Sequence, residues 1–106
     1  MVKYVLCLTT VGKKTDAEKI AEKLVGKRLA ACVHVMPGVI SYYRWKGKLC
    51  RDQEWLLVLK TLSTKVKSLQ KELDRIHPYE LAEFIVLPIL KGSAAYLKWL
   101  EKEVRN

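Results

Sequence analysis

Residues 77–83, His77-Pro78-Tyr79-Glu80-Leu81-Ala82-Glu83, gather four side chains able to hold a cation or a polar ligand: His77, Tyr79, Glu80 and Glu83. One imidazole and two carboxylates suit a divalent ion if they converge. The residue before a proline is driven out of the α region, so a helix should end near His77 and turn a stiff corner into a strand. The spacing of three along His77, Glu80 and Glu83 is then set by that corner and not by a helical turn. Two other roles compete with this one: His77 as the cap of the preceding helix, and Glu80 as an ion-pair partner of Lys60.

A second group of donors is softer. Cys32 and His34 are two apart in an extended stretch and so project from one face of a strand, where thiolate and imidazole suit copper or zinc. Cys7 lies on another strand of the expected sheet and joins them as a candidate, while Cys50 sits near a hairpin. Against a metal role, a buried free cysteine behaves as a small hydrophobe. The chain has three cysteines, an odd number, with no CxxC spacing, which argues against a disulfide framework and against a structural zinc site. Reduced thiols fit a cytoplasmic protein.

Two further sets share a strand face. Ser41, Tyr43 and Trp45 alternate, so their side chains point one way and are suited to packing on a neighbouring subunit. Glu54 and Lys60 share a parity on the following strand. If that face is buried, these charges need partners, which points to an interface pocket with His77, Tyr79 and Glu83. Such a pocket serves as a ligand site or as a device that fixes assembly.

The elements that position these residues follow from periodicity. Residues 2–10 read as an apolar strand. Thr15-Asp16-Ala17-Glu18 has capping-box spacing, and Ala17, Ile20, Ala21 and Leu24 mark the buried face of a helix from about 16 to Gly26. Ala30 to Val35 reads as a strand, Pro37-Gly38 as a kink or bulge, and Val39 to Trp45 as its continuation. Lys46-Gly47-Lys48 makes a hairpin turn into the longest strand, Leu49 to Thr61. Ser63 or Thr64 is expected to cap a second helix striped by Val66, Leu69, Leu73 and Ile76. Leu81 to Leu87 reads as a strand closed by Pro88, and Ser93 as the cap of a last helix lined by Ala94, Leu97, Leu100 and Val104. The fold class is α+β: a ferredoxin-like βαββαβ antiparallel sheet with an additional C-terminal helix, one domain over residues 1–106.

Helices cover only one face of such a sheet, yet both strand parities here are apolar, as in Tyr4, Leu6 and Leu8 against Val5 and Cys7. An apolar face left in water costs about 25 cal/mol per Å2. Burial against other subunits in a closed cyclic assembly, helped by the terminal helix, resolves this. No apolar run approaches the ~20 residues that span a bilayer, and Thr9, Thr10 and Gly12 interrupt the apolar start too early for a signal peptide.

The formal charge of +9 raises the question of a nucleic-acid partner. Lys and Arg are, however, dispersed beside Glu over helix faces and loops, which describes a solvated surface. Binding to nucleic acid should be non-specific and salt-labile, with dissociation constants of about 10⁻⁴ to 10⁻⁶ M near physiological salt. The only Asn is Asn106, and Gln is confined to Gln53 and Gln70; a Lys/Glu-rich surface poor in labile amides points to a thermophilic source.

The motifs add up to a family. The chain resembles the CutA divalent-cation-tolerance proteins through Leu29-Ala30-Ala31-Cys32-Val33, Pro37, the alternating Ser41, Tyr43, Trp45 and Gly47, Glu54, Lys60-Thr61, His77-Pro78-Tyr79-Glu80, Glu83, Pro88-Ile89, Gly92, Tyr96-Leu97 and Trp99-Leu100. The resemblance implies a ferredoxin-like trimer whose long second and third strands reach across to neighbouring subunits. It also implies a role in tolerance to copper and other divalent metals, with no established enzymatic reaction. Two residues depart from the pattern: Ala82 stands where a proline is common, and His34 where a small polar residue such as Asn is usual. The second departure adds a possible metal ligand.

Other functions on this fold are less well served. An RNA binder would carry aromatic residues and glycines in the third strand, where Glu54-Trp55-Leu56-Leu57-Val58-Leu59-Lys60 has an apolar run. An acyl-phosphate hydrolase would want an arginine after the first strand, where Thr10-Val11-Gly12-Lys13-Lys14 has none. No nucleophile, base and orienting group stand together, so no catalytic residue and no obligatory cofactor are assigned. The runner-up is a PII-like trimeric sensor binding an anionic ligand at the subunit cleft. The expectation is a cytoplasmic homotrimer that binds divalent cations such as copper without turning over a substrate.

Overall fold

The computed structural model describes residues 2–105; Met1 and Asn106, the ends of the domain expected over 1–106, lie outside the described residues. Strand β1 (Tyr4–Val11) leads to helix α1 (Lys14–Gly26), then to the long pair β2 (Cys32–Trp45) and β3 (Lys48–Leu62), helix α2 (Val66–Ile76), strand β4 (Ile85–Pro88) and helix α3 (Ala94–Val104). The sheet order is β2-β3-β1-β4 with every neighbour antiparallel. This is the ferredoxin-like α+β fold expected, with α3 added after β4.

Register divides the sheet into two faces. Val5, Cys7 and Val11 pair with Thr61, Leu59 and Trp55 and pack with Leu57 against Ala17, Ile20 and Leu24 of α1 and Leu69 and Leu73 of α2. Burying a leucine such as Leu69 or Leu73 contributes about 1.5–3 kcal/mol. On the opposite, open face, Tyr4 and Leu62 meet Ala31, Leu100 and Val104, so α3 covers only one end of it. Met36, Ile85 and Leu87 stay 41–47% exposed on the remainder of that face.

Two turn signals act as expected. Lys46 and Gly47 both have positive φ, 50° and 79°, which makes the two-residue turn whose twist matches a hairpin. Gly38, at φ 78°, lies within a bulge where the register passes from Met36↔Leu56 to Val39↔Glu54. The extra residue on β2 exchanges its parity, so Cys32, His34 and Met36 share the open face with Val39, Ser41, Tyr43 and Trp45. Beyond Val11↔Trp55 the two long strands pair only with each other, forming a ribbon that gives the molecule its 44 × 25 × 23 Å shape.

The strands β1, β2 and β3 start or end within two residues of the sequence reading, and three other boundaries differ for a physical reason. Helix α1 begins at Lys14, with Lys13 in the cap position and no side-chain capping bond, so Thr15 is not the cap. The backbone already turns at Lys13, whose carbonyl accepts from the Ala17 N–H at 3.1 Å, and Asp16 instead sits in the first turn, where it complements the helix dipole. Neither Ser63 nor Thr64 caps α2, because Ser63–Lys65 forms a 3-10 turn that leads into the helix. Strand β4 starts at Ile85 and not at Leu81, so Glu83 lies in the connecting loop. Ser93, by contrast, caps α3 as expected, its hydroxyl accepting from the Tyr96 N–H at 3.1 Å.

Candidate functional site

The corner at Pro78 is held by His77. As the α2 cap, His77 leaves the helical region at φ −73°, ψ 134°, while its N–H still reaches the Leu73 carbonyl. The ring is only 8% exposed. Its Nε2 stands 3.0 Å from the Thr10 carbonyl oxygen, and its Nδ1 accepts from the Tyr79 N–H at 3.1 Å. A carbonyl can only accept, so Nε2 carries the proton and Nδ1 is the acceptor: one neutral tautomer uses both nitrogens. Burial holds the imidazole below its ordinary pKa, which favours that neutral ring. No lone pair is left for a metal.

This corrects the expected trio. Glu80 is exposed, Glu83 lies in the loop, and among the described residues no three His, Cys, Asp or Glu side chains gather around a point. A shallow cavity of about 270 Å3 beside the corner is lined by His77, Tyr79 and Glu80 and not by Glu83. Lys60 is not a partner of Glu80, since its ammonium lies at His34 and Tyr96.

The corner's product is the position of Tyr79. Its hydroxyl donates to Glu54 Oε2 at 2.6 Å, and Glu54 is 7% exposed. Burial, reinforced by the Glu54 carboxylate, pushes the Tyr79 phenol well above its ordinary pKa, so it stays a donor at any physiological pH. Nearby, Tyr43 donates to Asp52 and is pushed up to about 12 by that bond. Desolvation first, then the Glu54 charge, raises the Glu83 carboxyl. This end of the sheet is acidic and phenolic. Replacing Tyr79 by phenylalanine strips the buried Glu54 of its donor and should cost about 1–3 kcal/mol of stability, read as a lower urea midpoint with an unchanged slope.

Glu54 and Lys60 keep one parity along β3 but do not share a pocket. They are six residues apart, about 20 Å along a strand. Lys60 belongs to the opposite end, where it faces Cys32 directly across the β2–β3 ladder. There Cys32 Sγ lies 3.9 Å from His34 Nε2. Lys60 Nζ lies 3.1 Å from the same nitrogen and 3.1 Å from the Tyr96 hydroxyl, above whose ring it also sits. Cys7 is not part of this group: it is fully buried on the helix face, and desolvation pushes its thiol up to about 11. Cys50 is half-buried on the hairpin arm, paired across the ladder with Tyr43, and Trp45 stands two residues further along the same face. Tyr96 was not singled out as a site residue by sequence. Its place on α3 becomes relevant only because that helix folds back over the open face.

The family model described as CutA1 divalent ion tolerance protein matches residues 5–103. The chain belongs to the CutA1 divalent ion tolerance protein family. Among CutA relatives, it is 48% identical over 97 residues to the Xenopus laevis protein CutA homolog, an alignment covering 92% of this chain and 62% of that protein. It therefore spans less than two thirds of that relative's length. It is 43% identical over 95 residues to the divalent-cation tolerance protein CutA of Thermus thermophilus, covering 90% of this chain and 92% of that one. Among solved CutA structures, that from Xylella fastidiosa superposes with a TM-score of 0.94 at 38% identity, covering 96% of this chain and 98% of the other. The CutA family is named for ion tolerance and not for a reaction, and no helix among the described residues is long and apolar enough to cross a membrane.

Proposed function

We propose that this chain is a non-catalytic, homotrimeric, cytoplasmic binder of divalent metals such as copper, contributing to metal-ion homeostasis, with Cys32 and His34 as its metal donors. The observation that carries this reading is the 3.9 Å separation of Cys32 Sγ and His34 Nε2 on the open face of the sheet. Thiolate and imidazole are donors that favour copper and zinc, and the Lys60 ammonium, 3.1 Å from His34 Nε2, would have to give way for a cation to reach that nitrogen. Free thiols at Cys7, Cys32 and Cys50 support a reducing compartment. The linked pairs Lys27–Glu72–Arg75 and Lys3–Glu101–Arg105 are surface networks of the kind that suit a thermophilic source. The PII-like alternative draws no support from the Tyr79 end of the sheet, where Glu54, Asp52, Glu83 and two phenols would repel an anion.

Calorimetric titration of zinc and of copper into the reduced protein tests the proposal. Cys32→Ser and His34→Ala should each weaken binding by at least about tenfold, since even the loss of a group that only supports a ligand costs about that much. His77→Gln should leave the isotherm unchanged. Binding should also weaken at acid pH, because thiolate and neutral imidazole are the ligating forms. Unaltered isotherms in both the Cys32 and His34 variants would remove the assignment.

A further inference from the structure

Helix α2 turns one polar face toward the C-terminal end of α1. Ser68, Lys71, Glu72 and Arg75 recur at i, i+3, i+4 and i+7, the spacing of neighbours on a helix surface. With Lys27 and Leu29 they line a cavity of about 320 Å3. Glu72 organises it. The Arg75 fork engages both carboxylate oxygens, Nε donating to Oε1 at 3.1 Å and Nη2 to Oε2 at 2.5 Å, while Lys27 Nζ donates to Oε2 at 3.1 Å. The Glu72 side chain is only 12% exposed, and the Arg75 hydrogen bond above all, aided by Lys27, holds its carboxyl down at about 2. One ionised carboxylate thus fixes two cations at the cavity.

Lys71 is left over. It makes no ion pair among the described residues. It also stands four residues from both Lys67 and Arg75, a like-charge spacing that works against a helix. Lys27, Lys71 and Arg75 set against Glu72 leave two uncompensated positive charges around one cavity. A phosphate monoester carries about −1.5 to −2 charges at pH 7 and three acceptor oxygens, which matches that excess and the Ser68 hydroxyl. Leu29 supplies an apolar wall for the organic part. We propose that this cavity binds a small organic phosphate monoester, with Lys71 and Ser68 donating to the phosphate oxygens and Lys27 and Arg75 completing the cationic rim. Leu29 packs on the helix-side core, so the cavity lies across the sheet from Cys32 and His34. It stands or falls apart from the metal reading, and the proposed trimer, which would cover the open face, would leave it in water.

The test is an NMR titration of the full chain with phenyl phosphate near neutral pH at fixed ionic strength, read at the amides of residues 27–29 and 68–75. Those amides should shift together with a single dissociation constant. Lys71→Gln leaves the Glu72 fork intact and should weaken binding about tenfold, the scale of one lost hydrogen bond to a charged group. Lys98→Gln removes the same charge from α3, across the sheet, and should change nothing. Equal weakening in the two variants would overturn the site, since diffuse attraction to a basic chain prefers no one lysine. Phenyl sulfate has the same shape with one charge fewer and should bind several-fold more weakly; equal affinity would overturn the match to a dianion. Inorganic phosphate should also bind more weakly for want of a contact with Leu29, and if it equals phenyl phosphate the ester assignment is wrong. No shift at these amides at millimolar phenyl phosphate would remove the cavity as a site.

Discussion

Replacing His77 by alanine is expected to lower the unfolding free energy by about 2–4 kcal/mol, because it orphans two backbone groups at once. The Thr10 carbonyl loses its donor and the Tyr79 N–H its acceptor, both beside a side chain that is 8% exposed. The effect should carry a pH signature. Burial lowers the His77 pKa from its ordinary 6.5, so the unfolded chain binds a proton that the folded chain resists. The contribution is therefore complete above about pH 6.5 and is lost as pH falls through the lowered folded value. Urea midpoints measured from pH 8 to pH 5 should fall across that window in the parent protein. In His77→Gln, which does not titrate, that component should vanish. An alanine variant as stable as the parent would show that the corner holds itself without the imidazole. Glu83 works in the other sense, its share being present below the ordinary carboxyl pKa and lost as pH rises through the raised one, so it opposes the His77 trend in the parent and stays behind in His77→Gln, and the difference between the two proteins isolates His77.

The same residue shows where sequence reading stops. That α2 ends at His77 was legible, because a proline acts on its immediate neighbour. That both ring nitrogens are spent was not, because one partner, Thr10, is 67 residues away on β1. The Ser93 cap and the Lys46-Gly47 turn were likewise legible as local geometry. Thr15 and Ser63 looked equally good, but in both places the backbone had begun to turn by another route, so the signal had nothing left to satisfy. Cys7 and Cys32 were rightly placed on one sheet. Their opposite faces follow only from the register Cys7↔Leu59 and Cys32↔Lys60, since adjacent residues on β3 point to opposite sides. The bulge at Gly38 was visible as a Pro-Gly pair, while its consequence, an exchange of parity along β2, required the pairing on both sides of it. The apolar open face was readable throughout from the doubled apolar parity, because a face that must be covered leaves its mark on every strand that crosses it.

That face leads to the second large effect: Trp45→Asp should break the assembly into smaller species while leaving the subunit folded. Trp45 ends β2 at the tip of the ribbon, paired only with Lys48, and 37% of its surface is exposed in the isolated chain. Tyr42 and Leu49 on the same ribbon are 67% and 72% exposed. A two-stranded ribbon in water is marginally stable by itself, and one with this much apolar surface needs something to lie against. The proposed trimer, a closed ring in which each arm would rest on a neighbour, would supply it without leaving an open end. In the proposed trimer an aspartate at position 45 would carry a charge into an apolar contact, at a cost of several kcal/mol repeated at each interface. The Trp45 side chain lies outside both apolar clusters of the subunit, so the core should be untouched. Sedimentation equilibrium should show the parent at three times the mass of the chain and the variant at or near one. Circular dichroism should be little changed, and the amides of residues 39–54 should exchange faster in the variant than those of β1. A parent protein that sediments as a monomer at micromolar concentration would sink the trimer, and a variant that stays trimeric would place Trp45 away from the contact.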